Sequence, residues 1–190
     1  MKKMNNPSQP SNDTKLISEL KINLACGQRR EEDYFGIDIV DGESVDAVMD
    51  LEEFPWPIES ESAEDIICNH YVEHTSDLIK FMDEVYRILK PGGKIKIVAP
   101  YYTSIRCWQD PTHKRAISDA TFLYFNKGWR EANLLQHYNI KSDFDFTYGY
   151  DINATWASKS DEARNFAIIH YNNVVNDIHV VLTKREIENK

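Results

Sequence analysis

A single glycine follows the first apolar stretch of the chain, and an aspartate stands eleven residues after that glycine. The glycine is Gly27, in KINLACGQRR, and the aspartate is Asp38, in GIDIV. A loop built for the pyrophosphate of a dinucleotide carries several glycines, and its ribose-binding carboxylate lies about twenty residues further along. The chain also contains no G-x-x-x-x-G-K-[ST] phosphate loop. The residue types and spacing therefore argue against a loop for NAD or for a nucleoside triphosphate.

S-adenosylmethionine is a cofactor that such a loop suits, because it carries a sulfonium cation and no phosphate. One close turn at Gly27 can pass beneath the methionine part of the cofactor, and Asp38 at a strand end can accept hydrogen bonds from both ribose hydroxyls. Residues 31–65 contain fourteen acidic residues and no Lys or Arg. This acidic segment attracts a cation, so we expect it to form the cofactor side of the protein.

The least generic part of the chain is the predicted lid segment, residues 101–130, which begins YYTSIRCWQDPTHKRAIS. It follows a predicted strand, so it should overhang the edge where open α/β sheets bind ligands. Its five basic and two acidic residues suit a small anionic acceptor, although ordinary surface charge is an equal alternative. The predicted acceptor-binding residues are Tyr101, Tyr102, Arg106, Lys114 and Arg115.

One histidine of the lid segment is the predicted general base of the chain. Transfer of the cofactor's methyl group is an in-line displacement, so positioning of the acceptor supplies most of the effect. A base assists when the acceptor is a hydroxyl or an ammonium group. His113 is the candidate, with Asp110 orienting its ring. The alternatives are that His113 only bonds to backbone in a turn and that the lid aromatics only pack the lid onto the sheet.

The sequence HYVEH, residues 70–74, matches the H-x-x-E-H zinc-peptidase signature. That chemistry needs both histidines on one face of a helix as zinc ligands. Here the motif comes directly after a predicted strand, so we expect His70 in the strand-end loop and expect Glu73 and His74 to anchor that loop. No metal is therefore predicted, and a zinc hydrolase is a less favoured alternative.

Hydrophobic periodicity predicts the elements that position these residues. Residues 76–90 form a helix with one apolar face, capped by Ser76 and stopped by Pro-Gly-Gly at 91–93. DFDFTYGY, residues 143–150, should be a strand. Residues 161–175 should be a helix with Ala163, Phe166, Ala167 and His170 inward, or else part of a hairpin. Further strands are predicted at 22–26, 36–40, 45–49, 65–69, 94–100 and 177–184.

Five short sequences occur in one order: LACG, GIDI, DLEEFPW, a strand ending in NH, and EVYRILKPGG. Over residues 21–100 the chain resembles the class I S-adenosylmethionine-dependent methyltransferases, and most closely the small ones with a shortened glycine loop. This resemblance implies an α/β fold with a Rossmann-like, seven-stranded, mostly parallel sheet and helices on both faces. We expect one such domain over residues 16–190, after a disordered tail at residues 1–15.

The resemblance also implies a cofactor site, position by position. Ala25, Cys26 and Gly27 would form the turn under the methionine part, and Asp38 would hold the ribose. The residues that would border the adenine or the methionine part are Ile39, Asp50, Leu51, Asn69 and His70. For Asn69 and His70 the alternative is that this strand-end polar pair only caps the next segment.

Composition limits the partners and the location. The chain of 190 residues has a net charge of −9, which opposes binding to nucleic acid without excluding it. A polar start, the absence of a long apolar run and three cysteines without C-x-x-C pairs indicate a cytoplasmic protein with reduced thiols. The resulting hypothesis is methyl transfer to a small or medium-sized acceptor. The alternative is a non-catalytic protein with this fold, and the aromatic lid is a candidate homodimer contact.

Overall fold

A seven-stranded sheet organises the chain in the computed structural model, which describes residues 20–186. The predicted tail, residues 1–15, lies outside the described residues. The strands follow the spatial order β3-β2-β1-β4-β5-β7-β6. Their bounds are β1 Leu20–Leu24, β2 Phe35–Asp38, β3 Ala47–Val48, β4 Ala63–Asn69, β5 Leu89–Pro100, β6 Phe144–Ile152 and β7 Val175–Lys184.

Strand directions confirm the predicted fold class, a mostly parallel α/β sheet of Rossmann-like type. The neighbours from β3 through β5 pair in parallel. Only β7 runs against the others, because it pairs antiparallel with both β5 and β6. The strand order reverses between β1 and β4, and such a switch point opens a crevice at the carboxyl ends of the strands. The predicted site residues after β1, β2 and β4 therefore meet at one edge.

Helix α1, Leu78–Ile88, confirms the helix that the hydrophobic periodicity predicted. Its predicted apolar face is buried, and Phe81 and Val85 are fully inaccessible. The cap is one residue later than expected, because Asp77 and not Ser76 accepts a hydrogen bond from the Lys80 backbone amide, at 3.0 Å. Ser76 instead donates its own backbone N–H to both carboxylate oxygens of Glu52, at 3.0 Å each.

Turns alone join β1 to β2. Residues 25–34, which we call the glycine loop, are all described and contain no helix. The remaining helices lie after β5. They are α2 Ile105–Gln109, a 3-10 helix Asp119–Phe125, α3 Lys127–Ala132, α4 Ala154–Ala157 and α5 Asp161–His170. No helix among the described residues is long and apolar enough to cross a membrane.

The C-terminal helix exists, but it is less buried than predicted. Ala167 of α5 is buried, whereas Phe166 is 55% exposed and His170 is also exposed. The strand predicted from DFDFTYGY is confirmed as part of β6. Helix α5 lies between β6 and β7 in the chain, so the hairpin alternative for residues 161–170 is wrong.

Candidate cofactor and acceptor site

The glycine loop begins with a tight turn at the end of β1. Ala25 and Gly27 both have left-handed backbone angles, with φ of 53° and 56°. The Cys26 amide donates to the Ile37 carbonyl at 3.0 Å, which holds the turn against β2. A Cβ placed on Gly27 would meet nothing within 4 Å. A glycine at position 27 therefore favours the left-handed backbone conformation of the turn. The space in front of the loop is open.

Asp38 ends β2 and faces this turn. Its Oδ2 accepts a hydrogen bond from the Gly27 amide at 2.8 Å, and its Oδ1 accepts one from the Val40 amide at 3.1 Å. An ionised carboxylate has about four acceptor positions, and Asp38 is only half-buried. It is thus held in place by backbone and keeps acceptor capacity for hydroxyl groups of a ligand.

A cavity of about 570 Å³ opens beside these two residues. Gly27, Asp38 and residues 40–44 all line it. Val40 lines the cavity and is 69% exposed, and its chain neighbour Ile39 is 61% exposed. Exposed apolar side chains next to an acidic group suit a ligand that carries both a flat ring and hydroxyl groups. The lining residues are Gly27, Gln28, Asp38, Val40, Asp41, Gly42, Glu43 and Ser44.

Gly36 is a site residue that the sequence reasoning missed. A Cβ on Gly36 would lie 2.0 Å from the Ser44 carbonyl oxygen, so only glycine lets this part of the cavity wall approach β2. The Gly36 amide also donates to Asp46 Oδ2 at 2.7 Å, and Arg30 Nη1 donates to the same oxygen at 2.8 Å. These hydrogen bonds, from Gly36 and then from Arg30, lower the pKa of Asp46.

Asp50 and Leu51, which with Ile39 were predicted to meet the adenine, differ in their surroundings. Asp50 is half-buried, and its Oδ1 accepts a hydrogen bond from the Glu52 amide at 2.9 Å. Leu51 is only 4% exposed and belongs to the core. Its carbonyl accepts a hydrogen bond from the Trp56 indole at 3.3 Å. Asp50 therefore remains accessible to a ligand, whereas the side chain of Leu51 packs inward.

Asn69 and His70 lie at the carboxyl end of β4, next to β1 in the sheet. His70 has a left-handed φ of 54°, and its amide donates to the Val98 carbonyl at 2.8 Å. Its Nδ1 lies 3.5 Å from Glu73 Oε1, and interaction with Glu73 raises the pKa of His70. Both predicted residues thus border the crevice at the switch point of the sheet.

The lid segment is docked onto the β4–α1 loop, residues 70–77. The Lys114 amide donates to the Glu73 carbonyl at 2.8 Å, and Lys114 Nζ donates to Ser76 Oγ at 2.5 Å. Arg115 Nη2 donates to the carbonyls of Thr75 and Ser76, at 2.7 and 3.0 Å. These two cations were predicted to bind the acceptor, and in the structure they hold the lid segment in place.

Arg106 and Tyr101, which were also predicted to bind the acceptor, interact with other residues of the protein. Arg106 Nη1 pairs with the buried Asp177 on β7 at 2.5 Å. Tyr101 is buried, and its hydroxyl lies 3.3 Å from Asp119 Oδ1; burial raises its pKa. Tyr102 is 43% exposed and packs edge-on against Tyr101. Tyr102 therefore offers exposed aromatic surface, whereas the Arg106 guanidinium is paired with Asp177 although 47% of its side chain is exposed.

His113 and Asp110 lie close together, as predicted, but without a direct hydrogen bond. Asp110 Oδ2 is 3.9 Å from His113 Nε2. His113 Nδ1 bonds to the Cys107 carbonyl at 2.8 Å, which matches the alternative of a histidine bonded to backbone in a turn. Hydrogen bonds from the Thr112 hydroxyl and backbone lower the pKa of Asp110. His113 therefore keeps only Nε2 free for chemistry.

The geometry gives the zinc-peptidase arrangement no support. Residues 70–77 form turns and bends rather than a helix, so His70 and His74 do not share a helical face. The non-catalytic alternative also gains no support from the fold.

One family model matches part of the sequence, and solved structures with a similar fold match most of the chain. Residues 22–97 match the family model described as a methyltransferase domain. Among solved structures, an S-adenosylmethionine-dependent methyltransferase from Archaeoglobus fulgidus is similar, with a TM-score of 0.62 and 17% identity over 89% of this chain and 87% of that one. The YcgJ protein from Bacillus subtilis has a TM-score of 0.53 and 17% identity, over 89% and 93% of the two chains. No curated protein matches the sequence.

A third similar structure comes from an assembly. It is the complex between the Haloferax volcanii Trm112 methyltransferase activator and a methyltransferase, with a TM-score of 0.54 and 17% identity over 89% of this chain and 84% of that chain. Residues 22–97 thus match a methyltransferase domain, and the chain has the fold of the class I S-adenosylmethionine-dependent methyltransferases. The predicted resemblance is confirmed, and S-adenosylmethionine is the cofactor of this class.

Proposed function

We propose that the protein binds S-adenosylmethionine and transfers its methyl group to a small or medium-sized acceptor. The observation that carries this proposal is the pairing of Asp38 with the Gly27 turn at 2.8 Å, beside an open cavity at the carboxyl ends of β1 and β2. A carboxylate with spare acceptor positions fits a ribose diol, and the acidic cavity wall fits a cation. The residues present therefore fit this cofactor.

We assign each predicted cofactor residue to one part of the cofactor. The cofactor, when bound, supplies an electrophilic methyl group. Asp38 accepts hydrogen bonds from the ribose hydroxyls, and the turn at residues 25–27 passes under the methionine part. Ile39 and Asp50 border the adenine, and Asn69 and His70 border the methionine part. Leu51 supports this wall from the core, since its side chain is buried.

The lid segment is the proposed acceptor side. Tyr102 offers exposed aromatic surface there, and His113 Nε2 with Asp110 nearby is the proposed group for accepting the acceptor's proton. Lys114 and Arg115 are engaged with the β4–α1 loop, so an anionic acceptor has less support than the methyl transfer itself. Cytoplasmic location and the low affinity for nucleic acid stay predictions.

Titration calorimetry with S-adenosylhomocysteine tests the cofactor proposal. We expect micromolar binding to the full chain and a 10- to 100-fold weaker affinity for Asp38→Ala, because hydrogen bonds to a charged group contribute about 1.5–3 kcal/mol and about 1.4 kcal/mol equals a factor of ten. Glu32→Ala is the matched control, since it removes an exposed carboxylate of the same acidic segment and should leave the affinity unchanged.

Two results would count against the proposal. One is the absence of binding to the wild-type chain. The other is equal loss of affinity in Asp38→Ala and Glu32→Ala, which would reduce the role of Asp38 to general charge. Thermal melting of each variant establishes that it is folded. Once binding is established, screening of candidate acceptors for methyl uptake from S-adenosylmethionine identifies the acceptor and separates the enzyme from a non-catalytic binding protein.

A further inference from the structure

Three side chains that can bind a metal converge where the lid segment meets the β4–α1 loop. Glu73, His74 and His113 each place one carboxylate oxygen or imidazole nitrogen within 4.8 Å of the other two. Two of them come from the β4–α1 loop, and the third comes from a point 39 residues further along the chain. The docking of the lid segment therefore assembles this cluster.

Glu73 is buried without the hydrogen bonds that a buried carboxylate needs. Its side chain is 1% exposed, and neither carboxylate oxygen has a hydrogen-bond partner among the described residues. The nearest cation is His70, whose Nδ1 lies 3.5 Å from Oε1, which is long for a hydrogen bond. A buried carboxyl group without hydrogen bonds is costly, and coordination of a metal would satisfy it. The carboxylate thus has unused ligand capacity.

Both histidines have a hydrogen-bonded Nδ1, as metal-binding histidines commonly do. His113 Nδ1 bonds to the Cys107 carbonyl at 2.8 Å, so Nδ1 carries the proton. His74 Nδ1 lies 3.1 Å from Thr112 Oγ1, and that hydroxyl donates to Asp110 Oδ1 at 2.7 Å. This network assigns the proton of His74 to Nδ1 as well. Such hydrogen bonds leave Nε2 of each ring with a free lone pair for a metal.

We propose that Glu73, His74 and His113 form a binding site for a divalent transition metal, with zinc as the best match. Zinc accepts two imidazoles and a carboxylate, and three protein ligands leave a fourth position for water or another ligand. Ligand atoms around tetrahedral zinc lie about 3.4 Å apart, so the cluster has to contract by roughly an ångström from its present spread. Asp110 Oδ2, 3.9 Å from His113 Nε2, adds a second negative charge nearby.

This inference goes beyond the proposed methyl transfer and departs from the sequence-based expectation of no metal. It also differs from the zinc-peptidase hypothesis, because His70 is not a ligand and His113 from the lid segment is. Bound metal would occupy His113 Nε2, which would then be unable to accept a proton from the acceptor. The metal would join the lid segment to the β4–α1 loop by direct bonds.

The test uses the full chain without a histidine tag, stripped with a chelator and then titrated with Zn²⁺ and with Co²⁺. We expect one metal ion per chain, a tetrahedral Co²⁺ absorption spectrum and a higher Tm with Zn²⁺. His74→Ala and His113→Ala should each weaken Zn²⁺ binding at least tenfold and abolish the Tm increase. If a histidine variant does not fold, Glu73→Gln, which keeps the size of the side chain, tests the same loss of Zn²⁺ binding. His137→Ala, in an exposed position, should behave like the wild type.

The proposal is overturned if the wild-type chain binds no Zn²⁺ tighter than millimolar. It is equally overturned if His137→Ala weakens binding as much as His113→Ala does, since the metal would then be adventitious at surface histidines. Titration of S-adenosylhomocysteine into the chelator-treated protein keeps the two proposals apart. Cofactor binding without metal would leave the cofactor part of the methyl-transfer proposal intact whatever the metal result is, whereas a metal bound to His113 would remove that histidine as the proposed proton acceptor.

Discussion

The glycine loop and the lid segment both follow parallel strands at the same edge of the sheet, yet they use their charges in opposite ways. On the glycine-loop side, Asp38 is held by backbone amides and keeps acceptor capacity toward an open cavity. On the lid side, Lys114 and Arg115 are bonded to the β4–α1 loop. An acidic group next to a cavity thus indicates a ligand-binding site. The basic groups of the lid segment instead hold that segment against the β4–α1 loop.

The difference has a simple electrostatic reason. Residues 31–65 have fourteen carboxylates and no basic side chain of their own, so most of their charge is left for solvent or a ligand. The lid segment crosses a loop whose carbonyl groups are not bonded in a helix or strand, and long basic side chains satisfy them. Backbone carbonyls that lack a partner in regular structure attract such donors.

The largest effect on stability should come from Gly36→Ala. The new Cβ would lie 2.0 Å from the Ser44 carbonyl oxygen, so β2 or the cavity wall must move. We expect a loss of about 2–3 kcal/mol, or roughly 4–12 °C in Tm, as for other overpacked sites in a protein of this size. Calorimetric melting measures it. Gly149→Ala in β6 is the control, because its Cβ would meet nothing within 4 Å. Equal Tm values for the two variants would contradict the close approach of the Ser44 carbonyl to Gly36.

A smaller effect is expected from Arg115→Gln on the lid side. The variant loses the hydrogen bonds to the Thr75 and Ser76 carbonyls, which should lower the free energy of unfolding by about 1–2 kcal/mol. Affinity for S-adenosylhomocysteine should stay within about twofold, because Arg115 serves docking. Urea unfolding and calorimetry give the two values, with the exposed Lys159→Gln as control. Unchanged stability together with weaker ligand binding would show that Arg115 serves ligand binding and not docking of the lid segment.

The smallest effect concerns Asp46, and it should depend on pH. Hydrogen bonds from Gly36 and Arg30 lower the pKa of Asp46 from its ordinary value of 3.8. A lowered carboxyl pKa stabilises the folded state above the ordinary value, and this contribution disappears as the pH falls through the lowered pKa. Asp46→Asn should therefore cost up to about 1 kcal/mol at pH 7 and much less in strong acid.

Urea unfolding at pH 7 and pH 3 checks this prediction. The exposed Asp33→Asn serves as the matched control. A stability difference between wild type and Asp46→Asn that is the same at both pH values would show that packing, and not the charge of the carboxylate, holds the glycine loop to residues 44–46.

Local patterns were sufficient for most of the fold. The apolar repeat of α1 predicted its buried face correctly, because that face depends only on residues three and four apart. The cap moved from Ser76 to Asp77 because Glu52, distant in the chain, binds the Ser76 amide. Phe166 of α5 is exposed although its spacing matched an apolar face, since periodicity does not say whether a neighbour exists to cover that face.

The sequence by itself determined the glycine turn, the strand-end position of Asp38 and the parallel sheet that brings the ends of β1, β2 and β4 together. These follow from short-range backbone preferences and hydrophobic patterns. Only the tertiary structure decided that Gly36 must be glycine, that the lid cations bind the β4–α1 loop, and that His113 reaches Glu73 and His74. Each of these depends on how two segments distant in the chain dock, and that docking is decided by packing and hydrogen bonding of the whole domain.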